Sequence, residues 1–537
     1  MKRKAAERDR VLGAAWIFLA VIVLGLVIAI RIRLLGIPLE RDEGEYAYAG
    51  QLMSQGIPPY KLAYNMKFPG TYAAYAQIMA IFGQTIVGIH LGLLLINAAT
   101  ILLIFLLGRR LINSIAGLAA AMAYAILSVN PSVVGFAAHA EHFVMLPALG
   151  GMLLLLNDSD RRSFERLFVS GLLFGTSLLM KQPAACFVLS GALYLLSNDL
   201  RRKRGWKRIV LRNLTFDLGA IVPFGIACLF LWHAGVFDKF WFWTITYARQ
   251  YGSLISLGTA PKLFSRTASE VINSTSLLWT LAGFGAIAGL WNKRMRASAV
   301  FLVGFLAFSL AAFSAGFYFR EHYYIFVLPA ASLLAGVAIS ALPNLTARHS
   351  NFVRFALLLL FCVALSQPIL AARKFFFEAS PVEASRLRYE GNPFPECVQV
   401  AEYLRDHTDV GDTIAVLGSE PEICFYSKRH SATGYIYTYG LMESQSYARQ
   451  MQEEMIREIE SARPKYLIWM GVPPSWMRRA TSEGMIFAWA NDYAEKFYDV
   501  VGLVNILSPD HTDYYFDQLP SPMPQLVNYI LICRRKS

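Results

Sequence analysis

The chain has 537 residues, of which 55% are hydrophobic and 16% charged, and its mean hydropathy is +0.42. A soluble chain carries about a quarter charged residues, so this composition excludes an ordinary soluble globular protein and points to a polytopic membrane protein. The net charge of +13 would suit a nucleic-acid partner, but the basic residues cluster between apolar runs in the pattern of short cytoplasmic loops, so the charge is read as topology and no nucleic-acid partner is expected.

The first apolar run, Ala14 to Ile30, is long enough to span a bilayer, for which about 17–25 residues suffice. It lacks the small-residue cleavage site of a signal peptide and reads as a retained anchor. Eleven spans are predicted, at about 12–30, 88–108, 114–130, 142–156, 167–180, 183–198, 213–233, 276–291, 297–316, 323–342 and 354–372. The runs 167–180 and 183–198 could be one broken helix, and charge decides for two. With two spans, Arg109-Arg110, the loop of Arg161, Arg162 and Arg166, the run Arg201-Arg202-Lys203-Arg204 and the Lys293/Arg294/Arg296 group all fall on the cytoplasmic side with the basic N-terminus.

The first outer loop, 31–87, contains the cluster Asp42-Glu43-Gly44-Glu45 and two stretches that read as amphipathic helices lying at the interface, broken at Pro58-Pro59 and Pro69-Gly70. A second outer loop, 235–275, is dense in aromatics and carries Lys239 and Arg249. From about residue 375 the apolar runs shorten. VQVAEYLRDHT and QSYARQMQEEMIREIESA read as helices, and TIAVLG, YLIWM, DVVGLVNIL and YILIC as strands, so residues 375–537 are expected to form an extracytoplasmic α/β domain after a transmembrane part, 1–374. Of the six cysteines, Cys397, Cys424 and Cys533 fall in this domain; one disulfide could form there, and sequence does not give its pairing. No zinc spacing, Walker loop or dinucleotide fingerprint is present.

The topology places the unusual polar residues together. Asp42, Glu43, Glu45 and Lys67 lie in the first outer loop, His139, Glu141 and His142 at the outer end of the fourth span, Lys181 at the outer turn between the fifth and sixth, and Arg320, Glu321 and His322 between the ninth and tenth. Each group has a bland alternative. The acids could be first-turn helix acids, Lys67 a snorkelling cation, the histidines polar packing, Lys181 a helix end and Arg320 with Glu321 an interfacial ion pair. Ionisable groups at membrane depth point to function, and all of these fall on one face.

These residues resemble the GT-C superfamily of membrane glycosyltransferases, in the branch containing the protein O-mannosyltransferases and the lipid A aminoarabinose transferases. The resemblance covers about residues 10–345. Asp42-Glu43 followed by Tyr46 resembles the branch's first-loop motif, NMKFPGTY its Lys-Pro-Pro type motif with Phe68 intervening, and Glu141 in AAHAEHFVMLP its second acidic position. Lys181-Gln182-Pro183 resembles its Lys-Gly-Pro turn, and FYFREHYYIFVLP its late Arg/His-Tyr motif. Glu45 stands where the aminoarabinose branch has Arg.

The resemblance implies a GT-C fold of about eleven transmembrane helices plus juxtamembrane helices. It implies a plasma (inner) membrane enzyme that moves a sugar from a polyprenyl-phosphate donor to a hydroxyl of a glycan, lipid or protein acceptor. Asp42 would be the general base, with Glu43 and Glu141 positioning the acceptor. Lys67, Lys181, Arg320 and His322 would compensate the lipid phosphate, with Tyr46 and the Arg249 loop near donor and lipid. No nucleotide is needed, and a divalent cation at His139, Glu141 and His142 is left open as a cofactor. A transporter or flippase would instead carry polar residues near the midplane and often two related halves, neither of which the sequence shows.

Overall fold

The computed structural model describes residues 2–156, 163–345 and 351–536; Arg161 and Arg162 of the second basic loop lie outside them. Every predicted span falls on a helix. Among the described residues, six helices are long and apolar enough to cross a membrane, and four of the others (Ser114–Leu127, Ala140–Leu156, Leu328–Ala341 and Phe355–Ala371) are apolar but shorter. A helix of 14 residues such as Ser114–Leu127 rises only about 21 Å, short of a hydrocarbon core of about 30 Å. The two runs separated by Lys181 are two helices, Ser163–Met180 and Ala185–Arg201, parted by a 3₁₀ turn at Gln182–Ala184. Pro183 supplies the break, because it has no N–H to continue the first helix. The predicted loop 235–275 is mostly helical, and its last helix, Ala260–Asn273, meets the span Ser276–Trp291 at a bend of 100°.

The chain divides into two compact units. The first joins Met1–Leu34, His90–Ala227 and Ile255–Glu378 and holds most of the apolar helices. Its helices approach through small residues, as membrane helices do when no water drives them together. A Cβ at Gly285, for example, would lie 1.8 Å from the Leu334 carbonyl oxygen. Arg31, at the end of the first helix, is buried and donates to the Ser128 carbonyl at 2.8 Å, which satisfies a helix-end acceptor.

The second unit joins Leu35–Ile89, Cys228–Leu254 and Ala379–Ser537. It is built on a six-stranded mixed sheet of β1 (Thr413–Leu417), β2 (His430–Ser431), β3 (Tyr466–Gly471), β4 (Tyr498–Ser508), β5 (His511–Phe516) and β6 (Tyr529–Arg535). Their order is β2-β1-β3-β6-β4-β5, parallel across β2-β1-β3 and antiparallel beyond. The four expected strands and two expected helices, here Phe394–Asp406 and Ala448–Ala462, are all present. The short β2, the half-exposed β5 and the helix Met485–Phe497 went unforeseen. Cys397, Cys424 and Cys533 are buried free thiols.

Both first-loop helices form, at Arg41–Ser54 and Pro69–Phe82, the second beginning on Pro69 at its first turn. The first is not an interfacial helix. All residues from Arg41 to Leu52 are buried, including the whole acidic cluster. It packs against Pro69–Phe82 and against the short helix Glu422–Ser427. Gly44 makes the second contact close: a Cβ there would stand 2.8 Å from the Glu422 backbone nitrogen and from its Cβ.

Candidate active site

The acidic helix is nucleated by its own acids. Glu40 is the N-cap; its carboxylate accepts from the Glu43 N–H at 3.0 Å, and the Glu43 carboxylate accepts from the Glu40 N–H at 3.4 Å. This reciprocal capping box turns Asp42 and Glu45, three residues apart, onto one face. Lys67, just before the second helix, fills that face. Its ammonium lies 2.8 Å from Asp42 Oδ1 and 2.9 Å from Glu45 Oε2. It also sits over the Tyr46 ring at 4.6 Å and the Tyr437 ring at 5.7 Å. The remaining capacity of Glu45 is taken by Asn65 Nδ2 at 2.6 Å and the Tyr72 hydroxyl at 2.6 Å.

Burial alone would lower the Lys67 ammonium, but Asp42 and Glu45 outweigh it and hold it well above the ordinary lysine range. Burial raises the Glu45 carboxyl above the usual carboxylate range, with Lys67 opposing that shift and Asp42 adding to it. Tyr437, pushed up by burial and by Asp42, keeps its proton and donates to Asp42 Oδ1 at 3.3 Å. The cluster therefore contains a fixed cation, two carboxyl groups that share it and a phenol donor.

Beside Asp42, Arg41 anchors the helix. It donates to the Ser419 carbonyl at 2.5 Å, pairs with the fully buried Glu420 at 2.8 Å and lies against the Phe394 and Tyr439 rings. Glu422 lies behind Gly44. Burial, then the neighbouring Glu420, raise its carboxyl to about 8, against the pull of Arg41. A carboxyl with a raised folded value contributes stability that is fully present below the unfolded value near 4.5 and is lost as pH rises through about 8. Stability should accordingly decline with rising pH across that window, and Glu422→Gln should flatten the decline. Thermal unfolding midpoints of the detergent-solubilised protein at a series of pH values check this; an unchanged slope in the variant refutes it.

A second cluster lies in the first unit. Glu141, in the first turn of Ala140–Leu156, is fully buried and ion-paired with Lys181, whose ammonium also sits 4.4 Å from the Tyr323 ring centre. His322 Nε2 is 3.9 Å from Glu141 Oε1, and its ring stacks on His139 at 4.1 Å. His139 and His142 do not share a helical face, because the helix starts only at Ala140. Glu141, one of the three residues of the possible cation set, already faces an ammonium. Arg320 lies over Tyr318 at 5.8 Å. Arg249 is exposed on the short helix Ala248–Gly252, away from the contacts of Lys67. The residues that sequence reasoning missed are Asn65, Tyr72 and Tyr437. Asn65 and Tyr72 flank Lys67 in the quoted motif, whereas Tyr437 is 395 residues from Asp42 and carries no local signal.

Residues 67–227 match the family of dolichyl-phosphate-mannose-protein mannosyltransferases. Among curated proteins, none matches the chain in sequence. Among solved structures, ArnT from Cupriavidus metallidurans bound to undecaprenyl phosphate is similar with a TM-score of 0.59 at 13% identity, over 97% of this chain and 97% of that one. The apo oligosaccharyltransferase of Archaeoglobus fulgidus is similar with a TM-score of 0.55 at 13% identity, over 97% of this chain and 76% of that one. The same archaeon's AglB, in complex with an inhibitory peptide and a dolichol-phosphate, gives a TM-score of 0.52 at 11% identity, over 94% and 75%. At these identities the likeness is one of fold.

Proposed function

This chain is a polytopic membrane protein with the fold of the GT-C superfamily of glycosyltransferases, and from that premise we propose that it moves a sugar from a polyprenyl-phosphate donor to an acceptor hydroxyl, with Asp42 as general base. The observation that carries this reading is the arrangement around Lys67, a buried ammonium held between Asp42 and Glu45. The Asp42 carboxyl, which the Lys67 ammonium holds in place, is the group that would take the proton. Tyr437 occupies one of its oxygens. The acceptor hydroxyl gives its proton to Asp42 as its oxygen attacks the anomeric carbon, and the bond from that carbon to the phosphate oxygen breaks. The transition state is oxocarbenium-like, as in glycoside hydrolysis, and the leaving polyprenyl phosphate gains a negative charge. Lys67, beside Asp42, is the cation assigned to that charge. Glu43, through its capping box, positions Asp42, and Glu141 holds Lys181.

The matched family, together with the two solved relatives whose structures contain undecaprenyl phosphate or dolichol-phosphate, supports a lipid-linked donor. The basic-loop pattern supports a reaction on the outer face of the plasma membrane, with residues from about 375 onward outside. The test is mass spectrometry of lipids that co-purify with the protein, joined to a transfer assay with lipid-linked sugar. Bound polyprenyl phosphate and a glycosylated product are expected. Sugar-dependent flux into vesicles, with no transfer, would instead establish a transporter.

A further inference from the structure

The first unit contains a cavity of about 550 Å³ lined by neither Glu141 nor Lys181. It opens among the last turns of Ile86–Leu111 and Ala185–Arg201 and the first turns of Arg296–Phe313. Its rim is polar, with Arg110, Arg201, Ser197 and Asn198, whereas its interior is lined by Leu193, Tyr194, Phe301 and Phe305. Tyr194 and Phe301 meet edge to face at 4.9 Å and close one wall, and Phe305 is buried at the base. At the rim, the Ser298 hydroxyl donates to the Leu111 carbonyl at 2.7 Å and fixes one helix to the other. Gly304 opens onto free space: a Cβ there would meet nothing within 4 Å.

Two features define what fits. All three helices have the length and hydropathy of membrane spans, so the apolar bore is at a depth where hydrocarbon, not water, is the solvent. Arg110 and Arg201 are both in the last turns of their helices and both exposed, and a guanidinium fork matches a phosphate. We infer that this cavity is a binding site for an anionic glycerophospholipid, one acyl chain between Leu193 and Phe305 and the headgroup phosphate at Arg110 and Arg201. The basic residues that mark this rim belong to the loops assigned to the cytoplasmic side, where the leaflet is anionic. That assignment selects a resident phospholipid over the sugar donor, whose chemistry is placed on the other face.

The test uses the full-length protein in neutral detergent, exposed to phosphatidylglycerol or phosphatidylcholine of identical chains, with retention read by native mass spectrometry. A photoactivatable phosphatidylglycerol locates the site by labelled peptides. Preferential retention of phosphatidylglycerol is expected, with labels on the peptides containing Leu193 and Phe301. The pair Arg110→Gln and Arg201→Gln should abolish the preference, and Gly304→Leu, which fills the bore without touching the rim, should abolish labelling while leaving the fold intact. Equal retention of both lipids, persistence of the preference in the arginine variant, or labelling unaffected by Gly304→Leu each overturns the inference. Displacement of the label by polyprenyl monophosphate at equal concentration would overturn it as well, by assigning the site to the carrier lipid.

Discussion

Asp42→Asn is expected to reduce turnover with lipid-linked donor by about a hundred- to ten-thousand-fold, the range seen when a general base is removed, while binding of polyprenyl phosphate persists. Asparagine keeps the shape of the side chain and can still accept from the Lys67 ammonium and the Tyr437 hydroxyl. The loss is therefore one of basicity rather than of structure. Single-turnover rates with purified protein, set beside native mass spectrometry of the lipid-bound form, separate the two effects. Turnover within about twofold of the parent would place the base elsewhere, since even the low end of the expected range is far larger than that.

Lys67→Met is expected to be the most damaging substitution for stability. Lys67, Asp42 and Glu45 have side chains that are 13%, 11% and 1% exposed, so removing the cation leaves two like charges in a poorly solvated space. Breaking a buried pair in this way costs about 3–5 kcal/mol, well above the 0–1 kcal/mol of a surface pair. The loss should ease as pH falls, because protonating the orphaned carboxylates relieves their repulsion; without the ammonium both hold their protons more tightly than in the parent. Lys67→Arg, which keeps the charge, should recover much of the stability. Thermal unfolding midpoints of the three proteins across acid and neutral pH decide this. A methionine variant as stable as the parent at neutral pH would show that the carboxylates have another partner.

Periodicity and composition were enough to find the apolar helices and most of the strands, because long apolar runs and alternating strand patterns are local properties of the sequence. They failed where stability comes from distant neighbours. Arg41–Ser54 reads as an amphipathic interfacial helix, yet it is buried from Arg41 to Leu52, because the residues that cover it include a helix more than 370 positions later. Glu45 reads as a departure from a related branch, but it is the second carboxylate on Lys67, a role its i, i+3 spacing from Asp42 could have suggested. Tyr437 was illegible for the same reason as the helix environment: its hydroxyl meets Asp42 across 395 residues.

Gly44 against Glu422 has a consequence for how such chains diversify. The acidic helix and the C-terminal sheet region belong to one folded body, joined through that glycine, the Arg41–Glu420 pair and the Tyr437–Asp42 bond. A recombination event that replaced only the C-terminal third would leave the motif helix without its backing, even though every residue of the motif survived. The first loop and the C-terminal segment are thus bound to be inherited together, and a change of packing in one must be accommodated by substitutions in the other.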